Sequence, residues 1–403
     1  MSKNLESFNL YPSIITVYGT NWCPDCKRAK KFFAEHRIPY ENIDIDEFEE
    51  GISYVENVNN GMRIIPTIIF PDGKILVEPT NSQLAEKLGL QTKARREYYD
   101  AIIVGGGPAG LTASLYLARE GLEVLVIEKA GLGGQAGITQ VLDNFPGFDE
   151  GISGAEFSDR LSRQARKFGV EILQAQDVTE IEHEEQFHIV HTGSGDHYHS
   201  KAVLLATGAR YRRLDIPGED ELIGINVHFC ATCDGAFYKG KKLLVIGGGS
   251  SGFEEGLFLT KFASHVDILV NSREAKASKI LQDKVAEKKD MTVLLNQNIL
   301  EIKGTKKLDT VLIQDKSTNE TRELKYDGIF VFIGLTPNNE LLKEKAELDK
   351  WGFLKTSQLM TSIPGIFAAG DVRSGATKQA ASAAGEGASA ALEIREYLKT
   401  VNG

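Results

Sequence analysis

The 403-residue sequence predicts an α/β protein in which a small N-terminal unit precedes two nucleotide-binding units. A glycine-rich turn between an apolar strand and a helix begins at Gly105, and a second one begins at Gly247. The four cysteines form two Cys-x-x-Cys pairs: Cys23/Cys26 and Cys230/Cys233. The second pair lies just ahead of the second turn. A dithiol beside a nucleotide site indicates electron transfer between a cofactor and a disulfide.

Length and composition restrict the class of protein. A chain of 403 residues is too long for one ordinary core, so we expect two or three domains. The formal net charge of −10 argues against nucleic acid or an anionic membrane as a partner. The sequence has no apolar run of bilayer length and no signal-peptide pattern at its start. We therefore expect a cytoplasmic protein with no nucleic-acid and no membrane partner.

Two Cys-x-x-Cys pairs in a reducing compartment indicate redox or metal chemistry. Together they could form a four-thiolate zinc site, but structural zinc pairs usually lie roughly 15–20 residues apart. Here half the chain separates them. We therefore favour two redox dithiols, expect no metal site, and keep a non-catalytic zinc-binding or docking protein as the alternative of another class.

The N-terminal unit has a βαβ-ββα pattern with strands at 13–18, 40–45, 67–70 and 74–77 and a last helix at 82–87. Cys23 precedes a helix at 27–36, where the dipole and free N–H groups stabilise a thiolate. Cys26 is then the resolving thiol.

Residues 12–90 resemble the glutaredoxin/thioredoxin superfamily through Trp-Cys-Pro-x-Cys at 22–26 and Ile-Pro-Thr at 65–67. The resemblance implies a thioredoxin fold over residues 1–92 with Pro66 in the cis form. Residues 78–82 replace the Gly-Gly pair that helps glutaredoxins hold glutathione, so the use of glutathione stays open. The domain is similar to mycoredoxin and to ribonucleotide-reductase redoxins. A redoxin fold kept only for docking is the alternative, which the two cysteines disfavour. Residues 93–98 are the linker, which tethers this domain at high effective concentration.

The first glycine-rich turn follows a strand at 100–104 and precedes a helix and a strand at 123–127 that ends in Glu128. Gly105, Gly107 and Gly110 fit G-x-G-x-x-G, and the acid has the spacing of a ribose contact. The second turn lies between strands at 242–246 and 266–270. Two Rossmann-like folds indicate two nucleotides, and a flavin with a nicotinamide is the useful pair beside a dithiol.

From about residue 98 onward the chain resembles the low molecular weight thioredoxin reductases. The shared motifs are GGGPAG, GGQ, NFPGF, ATGA, CATCDG and AAGDV, followed by Gln-Ala and an Ala/Gly-rich helix. The resemblance implies an FAD domain at 99–212 and 338–403. An NAD(P)H domain at 213–337 is inserted in it and carries the dithiol. It also implies a homodimer and a rotation of the inserted domain about connections near Arg213 and Gly334-Leu335.

The resemblance and the turns assign the site residues. The FAD contacts are Gly105, Gly107, Pro108, Ala109, Gly110, Glu128, Lys129, Gly134, Gln135, Asn144, Ala206, Thr207, Gly208, Gly370, Asp371, Lys378, Gln379 and Ala380. The NAD(P)H contacts are Gly247, Gly249, Ser250, Ser251, Asn271, Arg273 and Lys276. Asp371 is implied to bind the ribitol; a simple strand-ending turn is the alternative for it.

The catalytic residues follow from the same resemblance. Cys233 is implied to face the flavin, and Cys230 to exchange with the acceptor disulfide. Asp234 is placed to act as acid/base for the thiols. Its alternative role is an Asx-type turn before Gly235.

The choice of nicotinamide departs from the family pattern. The family's His-Arg-Arg cluster is missing, and no acid ends the second strand to bind an NAD ribose. Arg273 and Lys276 can hold a phosphate or can be ordinary surface charges. We expect NADPH, with NADH as the alternative.

Five histidines between residues 183 and 199 fall in alternating polar segments, which predicts an exposed hairpin in preference to a metal site.

The sequence therefore predicts a fused disulfide reductase. Electrons pass from NAD(P)H through FAD and Cys230/Cys233 to Cys23/Cys26. The outside acceptor is a protein disulfide, in a redoxin or peroxiredoxin, or a disulfide of a low molecular weight thiol. A peroxiredoxin reductase, as in the alkyl hydroperoxide reductase flavoprotein, is the nearer alternative. Its usual N-terminal extension holds two redoxin folds, and this chain has room for one.

Overall fold

The computed structural model describes residues 14–402 apart from residues 21, 140, 143 and 185, and the side chains of Thr232, Cys233 and Asn402 lie outside that description. The first unit comprises β1 (Ile15–Gly19), α1 (Pro24–Glu35), β2 (Tyr40–Asp44), α2 (Glu49–Val58), β3 (Thr67–Ile69), β4 (Ile75–Val77) and α3 (Asn81–Lys87). Its sheet has the order β2-β1-β3-β4, with β1 parallel to β2 and antiparallel to β3. The Ile65–Pro66 peptide is cis, as the resemblance implied.

Helix α1 begins earlier than the sequence pattern indicated. Cys23 is its N-cap and Pro24 its first residue, whereas the expected helix began at residue 27. Proline suits this position because its fixed φ is helical and its missing N–H is not needed there. Cys23 therefore lies at the helix N-terminus, as expected.

The second unit begins with β5 (Tyr98–Val104), α4 (Pro108–Arg119), β6 (Val124–Ile127), α5 (Gly134–Ile138), α6 (Gly154–Lys167), β7 (Glu171–Leu173), β8 (Val178–Glu184), β9 (Phe187–Thr192) and β10 (His197–Leu205). The sheet runs β7-β6-β5-β10-β9-β8. Strand β6 and residues 101–104 of β5 are apolar and buried throughout. Runs of this kind are typical of a parallel sheet covered on both faces.

The histidine-rich segments form antiparallel strands, since β8 pairs with β9 and β9 with β10. The expectation that all five histidines are exposed is wrong for His188, which is buried at 2% exposure. Its ring lies beneath the loop at Gly365. Burial, with His183 nearby, lowers the pKa of His188 to about 4.

The chain then leaves this sheet and forms β11 (Ala209–Tyr211), α7 (Glu219–Leu222), β12 (Val227–His228), α8 (Ala231–Asp234), a 3₁₀ helix (Gly235–Tyr238), β13 (Lys242–Ile246), α9 (Ser250–Leu259), β14 (His265–Leu269), α10 (Lys279–Ala286), β15 (Met291–Leu294), β16 (Gln297–Lys303), β17 (Thr310–Asp315), β18 (Thr321–Leu324), β19 (Gly328–Val331) and β20 (Leu335–Pro337). A parallel sheet has the order β12-β19-β13-β14-β15, and a separate antiparallel sheet has the order β16-β17-β18. Strands β11 and β20 pair with each other where the chain enters and leaves this part.

The chain returns to the sheet of the second unit through β21 (Ile366–Ala368), which pairs in parallel with β10, and ends in α11 (Ala380–Asn402). Helix α11 crosses α4 closely at Gly387, where a Cβ would come within 2.2 Å of the Ala109 carbonyl oxygen. Only glycine permits so close an approach of two helix backbones. Among the helices that the structure describes, none is both long and apolar enough to cross a bilayer.

A contact that we call the seam joins the first unit to the second. The Glu35 carbonyl at the end of α1 accepts a hydrogen bond of 2.9 Å from the Gly131 N–H. Arg37 donates to the Leu132 carbonyl. Ala175 packs against the apolar core of the first unit. The seam therefore lies at the C-terminal end of α1.

The linker is bound along the second unit. The Ala94 N–H donates to the Tyr198 hydroxyl at 3.1 Å, and the Arg95 N–H donates to the Glu171 carboxylate at 2.9 Å. Residues 93–98 are therefore held at several points, which a free tether would not be.

The crossing of α11 and α4 gives a matched pair of substitutions. Gly387→Ala should destabilise the second unit by about 1–3 kcal/mol, because the added methyl group overlaps a backbone carbonyl. Gly385→Ala lies on the same helix in open space and should be neutral or stabilising by up to about 1 kcal/mol. Urea unfolding midpoints followed by circular dichroism measure both. Equal midpoints for the two variants would contradict the close crossing.

Candidate functional site

The first glycine-rich turn forms a cradle at the N-terminus of α4. At Gly105, φ is 110° and a Cβ would meet the Ala206 carbonyl oxygen at 2.4 Å. At Gly110, a Cβ would meet the Gly105 oxygen at 2.0 Å. At Gly107, by contrast, a Cβ would meet no described atom within 4 Å. The turn is therefore tightly packed at Gly105 and Gly110 and open at Gly107. This open side lies at the N-terminus of α4, which begins with Pro108 and Ala109, so it fits a pyrophosphate.

Glu128 stands at the end of β6 beside this turn. Its carboxylate accepts hydrogen bonds from Gly106 N–H at 2.6 Å and from Ala130 N–H at 2.8 Å. Burial is the largest influence on the carboxylate and raises its pKa. The exposed Lys129 follows it. The position next to the cradle suits a ribose hydroxyl, as the spacing predicted.

The loop that contains Gly134 and Gln135 closes over the same turn, because the Gly133 N–H donates to the Gly106 carbonyl at 2.7 Å. On the opposite side lies the segment 206–208. The Thr207 hydroxyl donates to the Asn338 carbonyl at 2.6 Å, and the Asn338 amide donates back to Thr207 at 2.8 Å. Sequence reasoning missed Asn338, since its partner is distant in the chain.

The remaining predicted FAD contacts meet at the start of α11. Asn144 donates to the Gln379 side chain at 3.0 Å. Lys378, just ahead of Gln379 and Ala380, donates to the Asp371 carbonyl at 2.6 Å. Burial raises the pKa of the Asp371 carboxyl, and Lys378 opposes that shift. The structure thus brings together segments that lie far apart in the sequence.

A partly buried ion pair supports this end of the site and was missed by sequence reasoning. Glu386 accepts from the Gly370 N–H at 2.8 Å and from the Arg373 guanidinium at 2.7 Å. A Gly-Asp-Val-Arg segment and a Glu in a following helix carry no local signal of this pairing. The described residues therefore fit an FAD, with a phosphate cradle, a ribose-side acid and a helix N-terminus.

The short helix α8 begins directly after Cys230. Cys230 is disulfide-bonded, and the Asp234 N–H donates to the Cys230 carbonyl at 3.2 Å. The position predicted for Cys233 falls within this helix, and its side chain lies outside the description. The Asp234 carboxylate lies 3.4 Å from His228 Nδ1.

Tyr211 connects this pair to the FAD segments. It lies on β11 and stacks on Phe229 with ring centroids 5.2 Å apart. Burial raises the pKa of Tyr211 to about 12, and the carboxylates of Asp371 and Asp234 contribute further. An effect of both acids on one phenol requires that the FAD side and the dithiol side of the structure lie near each other.

The second glycine-rich turn opens into a cleft of about 730 Å³. Of the predicted NAD(P)H contacts, the cleft is lined by Gly247, Gly249, Ser251, Asn271 and Lys276. Ser250 is the first residue of α9, and Arg273 is exposed in the loop beyond β14. Lining residues that sequence reasoning missed include Arg212, Arg213, Asn298 and Phe332, which come from the connections and the neighbouring sheets.

The N-terminal dithiol consists of free thiols. The Cys26 N–H donates to Cys23 Sγ at 3.2 Å, so the Cys23 sulfur caps the N-terminus of α1. Burial, and then the hydrogen bond with Cys23, raise the pKa of Cys26 to about 12. Arg28, on the same helix, is paired with Asp25 and donates to the Pro79 carbonyl. Both cysteines are buried, and Cys23, at 5% exposure against 0% for Cys26, is the less enclosed of the two.

The four-thiolate zinc alternative conflicts with this chemistry, because a disulfide-bonded Cys230 has no thiolate to give to a metal. Across the part of the chain that the structure describes, no group of three or more His, Cys, Asp or Glu side chains is arranged to hold a metal ion.

Comparison with known proteins assigns both parts of the chain. Residues 99–387 match the family described as pyridine nucleotide-disulphide oxidoreductase, and residues 15–76 match glutaredoxin. A thioredoxin reductase of Bacillus subtilis (strain 168) is 39% identical over 308 residues, which are 76% of this chain and 96% of that protein. A "34.2 kDa protein in rubredoxin operon" of Clostridium pasteurianum is 40% identical and covers 74% of this chain and 97% of its own.

A solved structure shows the same similarity in three dimensions. The crystal structure of thioredoxin reductase from Streptococcus pyogenes MGAS5005 has a TM-score of 0.71 at 38% identity. It covers 75% of this chain and 99% of its own length.

The N-terminal pair should alkylate unequally. Iodoacetamide at pH 7 should modify Cys23 and leave Cys26 unmodified, because the raised pKa of Cys26 keeps it a protonated, buried thiol well above that pH. Peptide mass spectrometry of the reduced protein measures the two sites separately. Cys23→Ser is the control and should leave Cys26 unlabelled. Labelling of Cys26 at the rate of Cys23 would contradict the assignment.

Proposed function

The chain belongs to the pyridine nucleotide-disulphide oxidoreductase family, and on that basis we propose that it is a fused reductase whose own redoxin domain is its first acceptor. When bound, FAD passes two electrons from NAD(P)H to the Cys230/Cys233 disulfide. That dithiol then reduces Cys23/Cys26, which reduces an outside disulfide. One observation carries the proposal: the free Cys23/Cys26 thiols of a glutaredoxin-type segment and the disulfide-bonded Cys230 of a disulfide-reductase segment lie on the same chain.

The transfer between dithiols proceeds by exchange. A Cys230 thiolate attacks the Cys23 sulfur of an oxidised Cys23–Cys26 pair, forms the Cys230–Cys23 bond and releases Cys26, which takes a proton because of its raised pKa. Cys233 then attacks Cys230, restores the Cys230–Cys233 disulfide and releases Cys23. Two electrons move to the redoxin pair, and Asp234 receives or gives the proton at the reductase pair.

The proposed domains are a redoxin domain at 1–92, a linker at 93–98, an FAD domain at 99–212 and 338–403, and an NAD(P)H domain at 213–337. The pairing of β11 with β20 supports a rotation of the NAD(P)H domain, since the Arg212 N–H donates to Gly334 at 3.0 Å where the two connections run together. We propose a cytoplasmic homodimer, as the resemblance implies.

The cleft beside Gly247 supports NADPH as the preferred nucleotide. Lys276 and Asn271 line it, while Arg273 is exposed in the adjoining loop. A lysine at this rim supplies a charge-assisted contact to a 2′-phosphate, which NADH lacks. No carboxylate is among the residues that line the described cleft to receive the 2′-hydroxyl of NADH.

The outside acceptor is a redoxin, a peroxiredoxin, a ribonucleotide reductase or a disulfide of a low molecular weight thiol. The names of the relatives favour a thioredoxin-type protein disulfide. Peroxide reduction coupled to an added peroxiredoxin distinguishes the peroxiredoxin-reductase alternative.

The redoxin step is tested by Cys23→Ser in the full chain. Turnover of the acceptor disulfide should fall by about a hundredfold or more, because the redoxin pair on the same chain is otherwise an intramolecular acceptor at high effective concentration. Steady-state NADPH oxidation against the panel of disulfides measures the loss. Ferricyanide, which takes electrons without a dithiol, normalises each preparation. Unchanged turnover with every disulfide would show that the redoxin domain is not on the path.

The nucleotide preference is tested by Lys276→Ala. The KM for NADPH should rise roughly ten- to hundredfold, the effect of losing one hydrogen bond to a charged group, while the KM for NADH stays the same. Arg273→Ala is the matched control and should have a smaller effect. A wild-type enzyme that prefers NADH would overturn the assignment.

A further inference from the structure

A chain of buried polar groups extends from the acid of the dithiol motif. His228, the last residue of β12, is 7% exposed. Its Nδ1 lies 3.4 Å from the Asp234 carboxylate, and its Nε2 lies 2.7 Å from the Tyr238 hydroxyl. The Tyr238 hydroxyl also donates to the Ile225 carbonyl at 3.3 Å. The four groups form one continuous line, which we call the His228 network.

The surroundings hold the network in place. The Phe330 ring packs on the His228 imidazole with centroids 5.2 Å apart. The Asn226 amide contacts the Tyr238 hydroxyl at 3.5 Å and donates to the Asp327 carbonyl at 2.8 Å, while its own oxygen accepts from Leu308 N–H. Two carboxylates near the network act on the tyrosines. Asp327 raises the pKa of Tyr238, and Asp234 raises the pKa of both Tyr238 and Tyr211. The Glu255 carboxylate, on α9, also raises the pKa of Tyr211.

The network has two hydrogen-bonding arrangements that differ by one proton. In each of them both imidazole nitrogens and the Asp234 carboxylate keep a hydrogen-bond partner. The Tyr238 hydroxyl has one proton to donate, since burial raises its pKa to about 12. If it donates to His228 Nε2, the neutral imidazole donates its Nδ1–H to Asp234. If it donates to the Ile225 carbonyl, Nε2 carries its own hydrogen, and one further proton lies between Nδ1 and Asp234. A rotation of one hydroxyl therefore accommodates one more proton.

The reaction needs a proton at this place. Reduction of a disulfide to two thiols takes two electrons and two protons, whereas NAD(P)H supplies two electrons with one proton. The other proton comes from the protein or from water. Asp234 follows the redox pair directly, and the His228 network lies behind it.

Resting on the proposed function, we propose that His228 is a positioning residue that holds this second proton beside Asp234. In each reductive cycle the Asp234–His228 pair gives one proton to a sulfur of the Cys230/Cys233 pair as its S–S bond breaks. The pair takes that proton back when the dithiol is oxidised by the redoxin disulfide. His228 thereby supplies Asp234 with a proton that solvent would otherwise have to deliver.

The test is the pH profile of the full-length holoenzyme with His228→Asn, in which an amide can occupy the position of Nδ1 but cannot titrate. The readout is the ratio of disulfide turnover to ferricyanide turnover at each pH, because ferricyanide bypasses the dithiol. The ratio should fall about tenfold below wild type at pH 8.5 and lie within about twofold of it at pH 6, where protons from solvent are far more abundant. His265→Asn removes another histidine–aspartate contact, at 3.1 Å on β14, and should leave the profile unchanged.

The outcomes separate the two levels of the proposal. A wild-type enzyme that reduces ferricyanide but no disulfide would overturn the proposed function itself. A His228→Asn variant whose ratio is reduced equally at every pH would overturn the proton role and leave the proposed function standing. If that variant does not retain FAD, Tyr238→Phe interrupts the same network at its far end and should shift the profile in the same direction by a smaller amount. An unshifted profile in Tyr238→Phe would likewise overturn the inference.

Discussion

The close approach of α11 to the start of α4 is the constraint on which the second unit depends. Gly387 lets the last helix reach the Ala109 backbone, and Gly370, at the end of β21, lies against the same alanine. Both segments come from the C-terminal part of the chain, beyond the whole inserted stretch. The contact that closes this unit is thus also the floor of the phosphate cradle. Helix packing and cofactor binding therefore both require small residues at Gly387, Gly370 and Ala109.

The two cysteine pairs have different polar groups around them. Cys23 is the N-cap of α1, and its sulfur accepts a hydrogen bond from the Cys26 backbone N–H at 3.2 Å. At the other pair, the Asp234 N–H donates to the Cys230 carbonyl, and the Asp234 carboxylate lies 3.4 Å from His228 Nδ1. The first arrangement suits a thiol that meets many disulfides. The second suits one whose reduction must be balanced by a proton in a confined place.

The sequence predicted those features that depend on residues close together in the chain. The strand–glycine–helix order, the acid at Glu128 and the position of Cys23 all follow from local spacing, and the structure has each of them. It did not predict pairs formed by distant segments, such as Asn338 with Thr207 or Arg373 with Glu386. His188 was misjudged for the same reason, because the loop that buries it comes from far along the chain.

The attachment of the redoxin domain has a geometric consequence. The seam lies at the C-terminal end of α1, and the dithiol lies at its N-terminal end, about 18 Å away along 12 residues. The backbone hydrogen bonds of such a contact contribute only about 1 kcal/mol each, so thermal energy can open it. Residues 93–98 stay bound alongside, so the first unit can rotate about the seam. A rotation of a few tens of degrees moves the Cys23/Cys26 dithiol by roughly 10 Å, given its distance of about 18 Å from the seam. On the proposed electron path, the redoxin dithiol would reach its partner by domain reorientation, a motion on the microsecond-to-millisecond scale that does not depend on protein concentration.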